Sequence, residues 1–164
     1  MADDKPEIFQ RLIQTLDAAG VVYDLTHHEP VYTSAQAASV RGTPLCSGAK
    51  AIILKCDHGF VMVVMPADRI MKGSAVRKFL HSRRLRFASK EELLELTGLT
   101  PGAVPPFGSL FGLRTVCDRR LGENQRINFN AGSHGNSLQL DYQAWVKVES
   151  PEFADFSIAT EDRE

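Results

Sequence analysis

Two runs, "KAIILK" at 50–55 and "FVMVVM" at 60–65, are separated only by "CDHG" at 56–59. Both are rich in β-branched and long apolar residues, and four residues between them leave room for a turn and nothing else. The spacing predicts a strand–turn–strand pair at the centre of the chain. Any fold must then bury a sheet. In 164 residues one domain with a sizeable core is expected, over 1–164.

The flanks carry helical signals. Ile8, Leu12, Leu16 and Ala19 recur at helical spacing and Gly20 follows as a stop, which predicts a helix from about Pro6 to Ala19. "VVYDLT" reads as a strand. Thr33 with Gln36, and Ser89 with Glu92, have capping-box spacing, opening helices in "SAQAASVRG" and "KEELLEL", the second closed by Gly98. "GSAVRKFLH" reads as a short helix and "RLRFA" as a brief strand. "LRTVCD", "RINFNAG" and "SLQLD" read as strands, and Asp141 as the cap of a last helix, "YQAWVKV". Strands and helices alternate irregularly, so an α+β domain with a mixed sheet is expected rather than a doubly wound parallel one. The acidic tail at about 151–164 is expected to lack fixed structure.

Composition narrows function by exclusion. The longest apolar runs are too short to cross a bilayer, and "MADDKPEIFQ" has no signal-peptide layout, so no membrane partner and a cytoplasmic location are expected. Cys46, Cys56 and Cys117 form no CxxC pair, and Cys56 with His58 has no further ligands nearby, so neither disulfide, metal nor cofactor is expected. There is no G-x-S-x-G elbow, phosphate loop or evident pair of catalytic carboxylates.

Net charge is −1, yet Arg69, Lys72, Arg77, Lys78, Arg83, Arg84, Arg86 and Lys90 follow one another without an acid between them. Such a zone is either a polyanion contact or a solvated helix face. Lys50 shares a strand face with Ile52 and Leu54, pointing into a cavity or lying solvated at the strand end. "NFNAGSHGNSLQL" gathers small residues around His134, at a ligand or merely in a turn. "GLTPGAVPPFGSLFG" at 98–112 holds four glycines and three prolines in fifteen residues. It is either a turn-rich connection or a backbone stiffened to hold something.

"HHEPVYTSAQAA", "GAKAIILK", the basic helix, "KEELLELTGLTPGAVPPFG" and "RINFNAGSHGNSLQL", in this order over about Ala18 to Val148, resemble the YbaK/prolyl-tRNA-editing domain family. The resemblance implies a mixed, partly barrel-like sheet surrounded by helices. It also implies a free-standing aminoacyl-tRNA deacylase, acting on tRNA (tRNA-Pro foremost) mischarged with a small amino acid such as Ala, Ser, Thr or Cys. Its lysine falls on Lys50, its GxxxP motif on Gly102 and Pro106, and its glycine-rich turn on Gly132, Ser133 and His134. By that resemblance Lys50, Gly102 and His134 are the candidate catalytic residues, and Pro106, Phe107, Gly108, Gly132 and Ser133 candidate substrate contacts. Lys72, Arg77, Lys78, Arg83 and Arg84 are candidate tRNA contacts. Aminoacyl-tRNA is the implied partner, with prolyl-tRNA synthetase a further candidate and no DNA expected. A non-catalytic module that binds tRNA or a synthetase, and an esterase for a small acylated metabolite, remain alternatives.

Overall fold

The computed structural model describes residues 6–162. The first helix, α1, spans Pro6–Ala18 and buries Ile8, Leu12 and Leu16 along one face. Strand β1 is Tyr23–His27 and helix α2 is Ser34–Arg41, opened by the Thr33/Gln36 capping box and closed by Gly42 at φ 69°. The central runs form β2 (Ala49–Cys56) and β3 (Gly59–Pro66), antiparallel with Lys50 opposite Met65. Strand β4 (Arg69–Met71), α3 (Gly73–Leu80), β5 (Leu85–Phe87) and α4 (Lys90–Thr97) follow. The Ser89/Glu92 box opens α4 and Gly98 closes it. After the Gly/Pro segment come β6 (Arg114–Asp118), β7 (Arg126–Asn130), β8 (Asn136–Asp141) and α5 (Tyr142–Glu149), then β9 (Glu152–Ala154) and β10 (Ser157–Ala159).

The main sheet has the order β5-β2-β3-β6-β9, antiparallel around β2 but parallel at β3–β6 and β6–β9. A three-stranded antiparallel sheet, β1-β8-β7, is joined to it by a bridge between Gly48 and Asn128. The expected mixed sheet is therefore present. Its central strand explains the unbroken run at 61–65, because both faces of β3 are covered. Met62 and Val64 face a core containing Leu12, Leu16, Phe107 and Trp145, whereas Val61, Val63 and Met65 face a second core with Val76, Leu80 and Phe156.

Two expectations need correction. The tail is built into the fold: β9 pairs with β6 and β10 with β4. Buried Asp118 holds it, its Oδ2 accepting from the backbone N–H of Phe156 and of Ser157, 2.8 Å each. Such charge-assisted bonds fix a segment whose composition alone suggests none. Residues 163–164 lie outside the described residues. Asp141 does precede α5, but its side chain makes no capping bond; it lies 3.5 Å from Arg126 Nε instead.

Candidate active site

The strand edge of β2 is incomplete, and the site begins there. Along its other edge β2 pairs with β5 only over Leu54–Cys56, while β7 reaches only Gly48. Between these partners the edge at Lys50–Ile52 is open. Ile53 C=O faces the β5 side, where it accepts from Ala88 N–H at 2.9 Å. Alternation along a strand therefore turns the N–H and C=O of Ala51 to that same open edge.

A cleft of about 930 Å³ opens at this gap. Its walls are α2 with the segment before it, the open edge of β2, β4, Phe87, and the start of the Gly/Pro segment with the end of β7. Three cations line it, Arg41, Lys50 and Arg69, and among the described residues no Asp, Glu or Cys does. Tyr32 and Phe87, 67% and 62% exposed, stand on its rim. The cleft thus offers positive charge with aromatic faces at its mouth, the pairing that suits an unpaired nucleic-acid end.

Lys50, Gly102 and His134, three residues the sequence singled out, meet in this cleft. Lys50 is exposed and makes no hydrogen bond or ion pair among the described residues. Gly102 has φ 89°, and a Cβ there would sit 3.1 Å from His134 Cε1, so both conformation and space require glycine. His134 is buried, at 3% exposure. Its Nδ1 lies 3.0 Å from the carbonyl of Val31, which can only accept, so Nδ1 carries the proton. Nε2 then accepts from Thr100 Oγ1 at 3.2 Å. Tyr32 leans over the same ring, with centroids 4.5 Å apart. His134 is therefore a fixed part of the wall, holding the loop at Gly102 against the segment at Val31.

The other expected substrate contacts lie behind the cleft rather than in its wall. Phe107 is fully buried against Phe129. Pro106 is buried, and its carbonyl accepts from Trp145 Nε1 at 2.8 Å. Gly108 is wedged so closely that a Cβ would come within 2.2 Å of Thr115 Oγ1. Gly132, at φ 90°, approaches the backbone of Phe9 in α1, and its N–H donates to Ala103 C=O. Ser133 is buried and accepts from Gly135 N–H and Asn136 Nδ2. These residues shape the loop without forming its surface.

Arg41 is the residue that sequence reasoning passed over. Its guanidinium is fixed by Nε donating to Ser137 Oγ at 2.8 Å and Nη2 to Asn130 Oδ1 at 2.9 Å. Asn130 Nδ2 in turn donates to Gly102 C=O at 2.7 Å, so Arg41 and the loop share one anchor. Burial pulls the Arg41 pKa down to about 10. A basic residue in the last turn of a helix reads as a dipole complement, so nothing local marks Arg41 as part of a site.

The basic zone divides in two. Arg69 donates to Ser157, and Arg86 makes a bidentate pair with Glu92. Lys72, at the start of α3, Lys78 on it, and Arg83 and Arg84 beyond it are exposed, whereas Arg77 is half-buried. The side chains of all five make no hydrogen bond or ion pair among the described residues. They flank β4 and β5, the strands that supply Arg69 and Phe87 to the cleft.

Nucleophilic cysteine chemistry finds no support. Cys117 lies in the core, and burial pushes its thiol up to about 12.

The chain belongs to the aminoacyl-tRNA editing domain family, which matches residues 28–148. It is 33% identical to the multifunctional Ser/Thr-tRNA deacylase ProXp-y of Escherichia coli, over 90% of this chain and 91% of that protein. It is 26% identical to the prolyl-tRNA editing protein ProX of Acetoanaerobium sticklandii, over 85% and 88%. The crystal structure of hypothetical protein APE2540 shares the fold, with a TM-score of 0.82, 24% identity and coverage of 90% and 99%. Among the described residues no helix is long and apolar enough to cross a membrane.

Proposed function

We propose that this chain is a trans-acting aminoacyl-tRNA deacylase. It hydrolyses the ester linking a small amino acid, serine or threonine foremost, to the terminal ribose of a mischarged tRNA, tRNA-Pro above all, in the cytoplasm. The observation that carries this reading is the cleft itself: three cations, two aromatic residues at the rim and, among the described residues, no carboxylate around an open strand edge. Cations attract the phosphate backbone without regard to sequence, while exposed Tyr32 and Phe87 offer faces for unpaired bases. The basic surface of Lys72, Arg77, Lys78, Arg83 and Arg84 extends that attraction towards the acceptor stem. The relatives named as Ser/Thr-tRNA deacylase and prolyl-tRNA editing protein support the same substrate class.

In hydrolysis a water adds to the ester carbonyl, the carbonyl electrons form an oxyanion, and the ribose oxygen leaves with a proton as the carboxylic acid forms. The chain supplies geometry for this rather than a side-chain base. Main-chain donors at the loop around Gly102 and at the open edge of β2 lie where an oxyanion can be met, which is worth most when they are held fixed. Lys50 places a cation beside them, near the ribose or the ester. Among the described residues no Asp or Glu lines the cleft, and both nitrogens of His134 are engaged by Val31 and Thr100. The proton lost by the water is therefore carried by the substrate itself: the neighbouring ribose hydroxyl accepts it while passing its own proton to the ribose oxygen that leaves. The His134 ring, pressed against Gly102, limits the space for the amino-acid side chain.

The test is a deacylation panel of Ala-, Ser-, Thr-, Cys- and Pro-tRNA-Pro with wild type and Lys50→Ala. Rapid release from one or two small mischarged species, reduced about 100-fold or more in Lys50→Ala as for a lost transition-state donor, is expected. Release from none of them would end the hydrolase reading.

A further inference from the structure

Arg41 has half of its guanidinium committed and half open. The edge formed by Nε and Nη2 is occupied by Ser137 and Asn130. Nη1 makes no hydrogen bond among the described residues, yet it is not buried without a partner. Arg41 lines the cleft, and with its Nε edge spent on Ser137 and Asn130 the second face of the fork, Nη1 with the remaining hydrogen of Nη2, is the one left for it. No carboxylate forms an ion pair with it among the described residues. A half-buried cation lacking an acidic partner is costly, and its desolvation is already felt in its lowered pKa. A fork held rigid on one edge and open on the other is built for two anionic oxygens at once.

We propose that Arg41 grips the phosphate on the 5′ side of the terminal nucleoside, fixing the substrate end so that its ester meets the loop at Gly102. This rests on the deacylase reading above. Within that substrate the amino acid carries a cationic amino group and its carboxyl is esterified, so the anionic oxygens near the ester belong to phosphates. Lys50, on β2 and unrestrained, is then left for the ribose and ester. The chain of bonds from Arg41 through Asn130 to Gly102 couples the phosphate grip to the reacting loop.

The experiment uses a pair of non-hydrolysable ligands, 3′-seryl-amido-adenosine with and without a 5′-phosphate, titrated into the full chain. Wild type is expected to bind the phosphorylated ligand about 10- to 100-fold more tightly, the range of a charge-assisted pair. Arg41→Met is expected to lose that preference, the two ligands then binding alike, and Arg41→Lys to keep part of it. No preference in wild type, or a preference that survives in Arg41→Met, overturns the proposal. So does weaker binding of free serine by Arg41→Met with the phosphate preference intact, which would assign Arg41 to the product carboxylate. If Arg41→Met binds neither ligand, Arg41→Lys decides: a retained preference supports the grip, and equal weak binding of both ligands refutes it. Turnover of Ser-tRNA by wild type is scored separately, so a chain that binds the phosphate but hydrolyses nothing loses the deacylase reading and keeps the grip.

Discussion

The two walls of the cleft are held in opposite ways. The Gly/Pro wall is tied from behind by the core. Phe107 is fully buried, Trp145 donates to Pro106 C=O, Gly132 N–H donates to Ala103 C=O, and buried Glu149 accepts from Ser109 and Thr115. The α2 wall has almost no core of its own. Of its eight residues only Ala37 is buried, Val40 is 47% exposed, and the helix depends on its caps and on Arg41. Isolated helices of that length are unstable in water. One wall is thus rigid, and the other a light element tied to the rest of the site through Arg41. Catalysis needs the first kind of wall to place donors, and admission of a bulky nucleic-acid end is served by the second.

The sharpest way to break this comparison is to damage the rigid wall from within. A Cβ at Gly108 would lie 2.2 Å from Thr115 Oγ1 and 2.9 Å from Leu113 C=O, and the latter is backbone that cannot rotate away. Gly108→Ala is expected to cost about 1–3 kcal/mol by overpacking, read as a lowered urea midpoint, with kcat falling as the loop shifts. A variant with unchanged midpoint and unchanged kcat would show that the loop is not held from behind.

What was legible in the sequence follows the same division between local and distant causes. Both capping boxes, the β2–β3 pair and the glycine stops were readable, because each depends on residues within a few positions of one another. Lys50, Gly102 and His134 were found through the family's pattern, and the fold brings them to one cleft. Three features were not readable. The parallel pairing of β3 with β6 and of β6 with β9 joins segments about fifty and forty residues apart, and no local signal encodes it. The tail's order depends on Asp118, an acid that looks solvated until Phe156 and Ser157 meet it. Arg41 carries no local signal because its partners, Asn130 and Ser137, lie some ninety positions away.

The light wall can be loosened alone. Thr33 Oγ1 accepts from Gln36 N–H at 3.1 Å, while Gln36 Oε1 accepts from the backbone N–H of Tyr32 and of Thr33. Thr33→Ala removes one half of this box, worth about 1 kcal/mol. With so little packing to compensate, the loss should appear as about fivefold faster amide exchange confined to α2, with the global urea midpoint nearly unmoved. Because the box also sets the backbone of Tyr32 at the cleft's rim, KM should rise while kcat holds. Faster exchange in the Gly/Pro wall as well would mean that the two walls are mechanically one.

Acid offers the smallest and most selective perturbation, because the two capping boxes differ in one atom type. Gln36 cannot titrate, whereas Glu92, which opens α4 ahead of the Gly/Pro wall, can. Its carboxylate is held down to about 2 by hydrogen bonds from Arg86 and from Ser89 N–H. An ordinary glutamate loses its charge near pH 4.3. Since the folded value is the lower one, the stabilisation from Glu92 is complete above that pH and fades as pH falls towards about 2. The pair is solvent-exposed, so the effect is modest and screened by salt. Glu92→Gln should therefore lower the urea midpoint slightly at pH 7, and the gap from wild type should narrow steadily between about pH 4.5 and pH 3. Over the same range amide protection, taken relative to the intrinsic exchange rate at each pH, should fall in α4 while that of α2, whose cap carries no titratable group, stays unchanged. A gap that holds constant down to pH 3 would mean that the Glu92 carboxylate contributes through its shape alone, and the rigid wall would then be no more sensitive to acid than the light one.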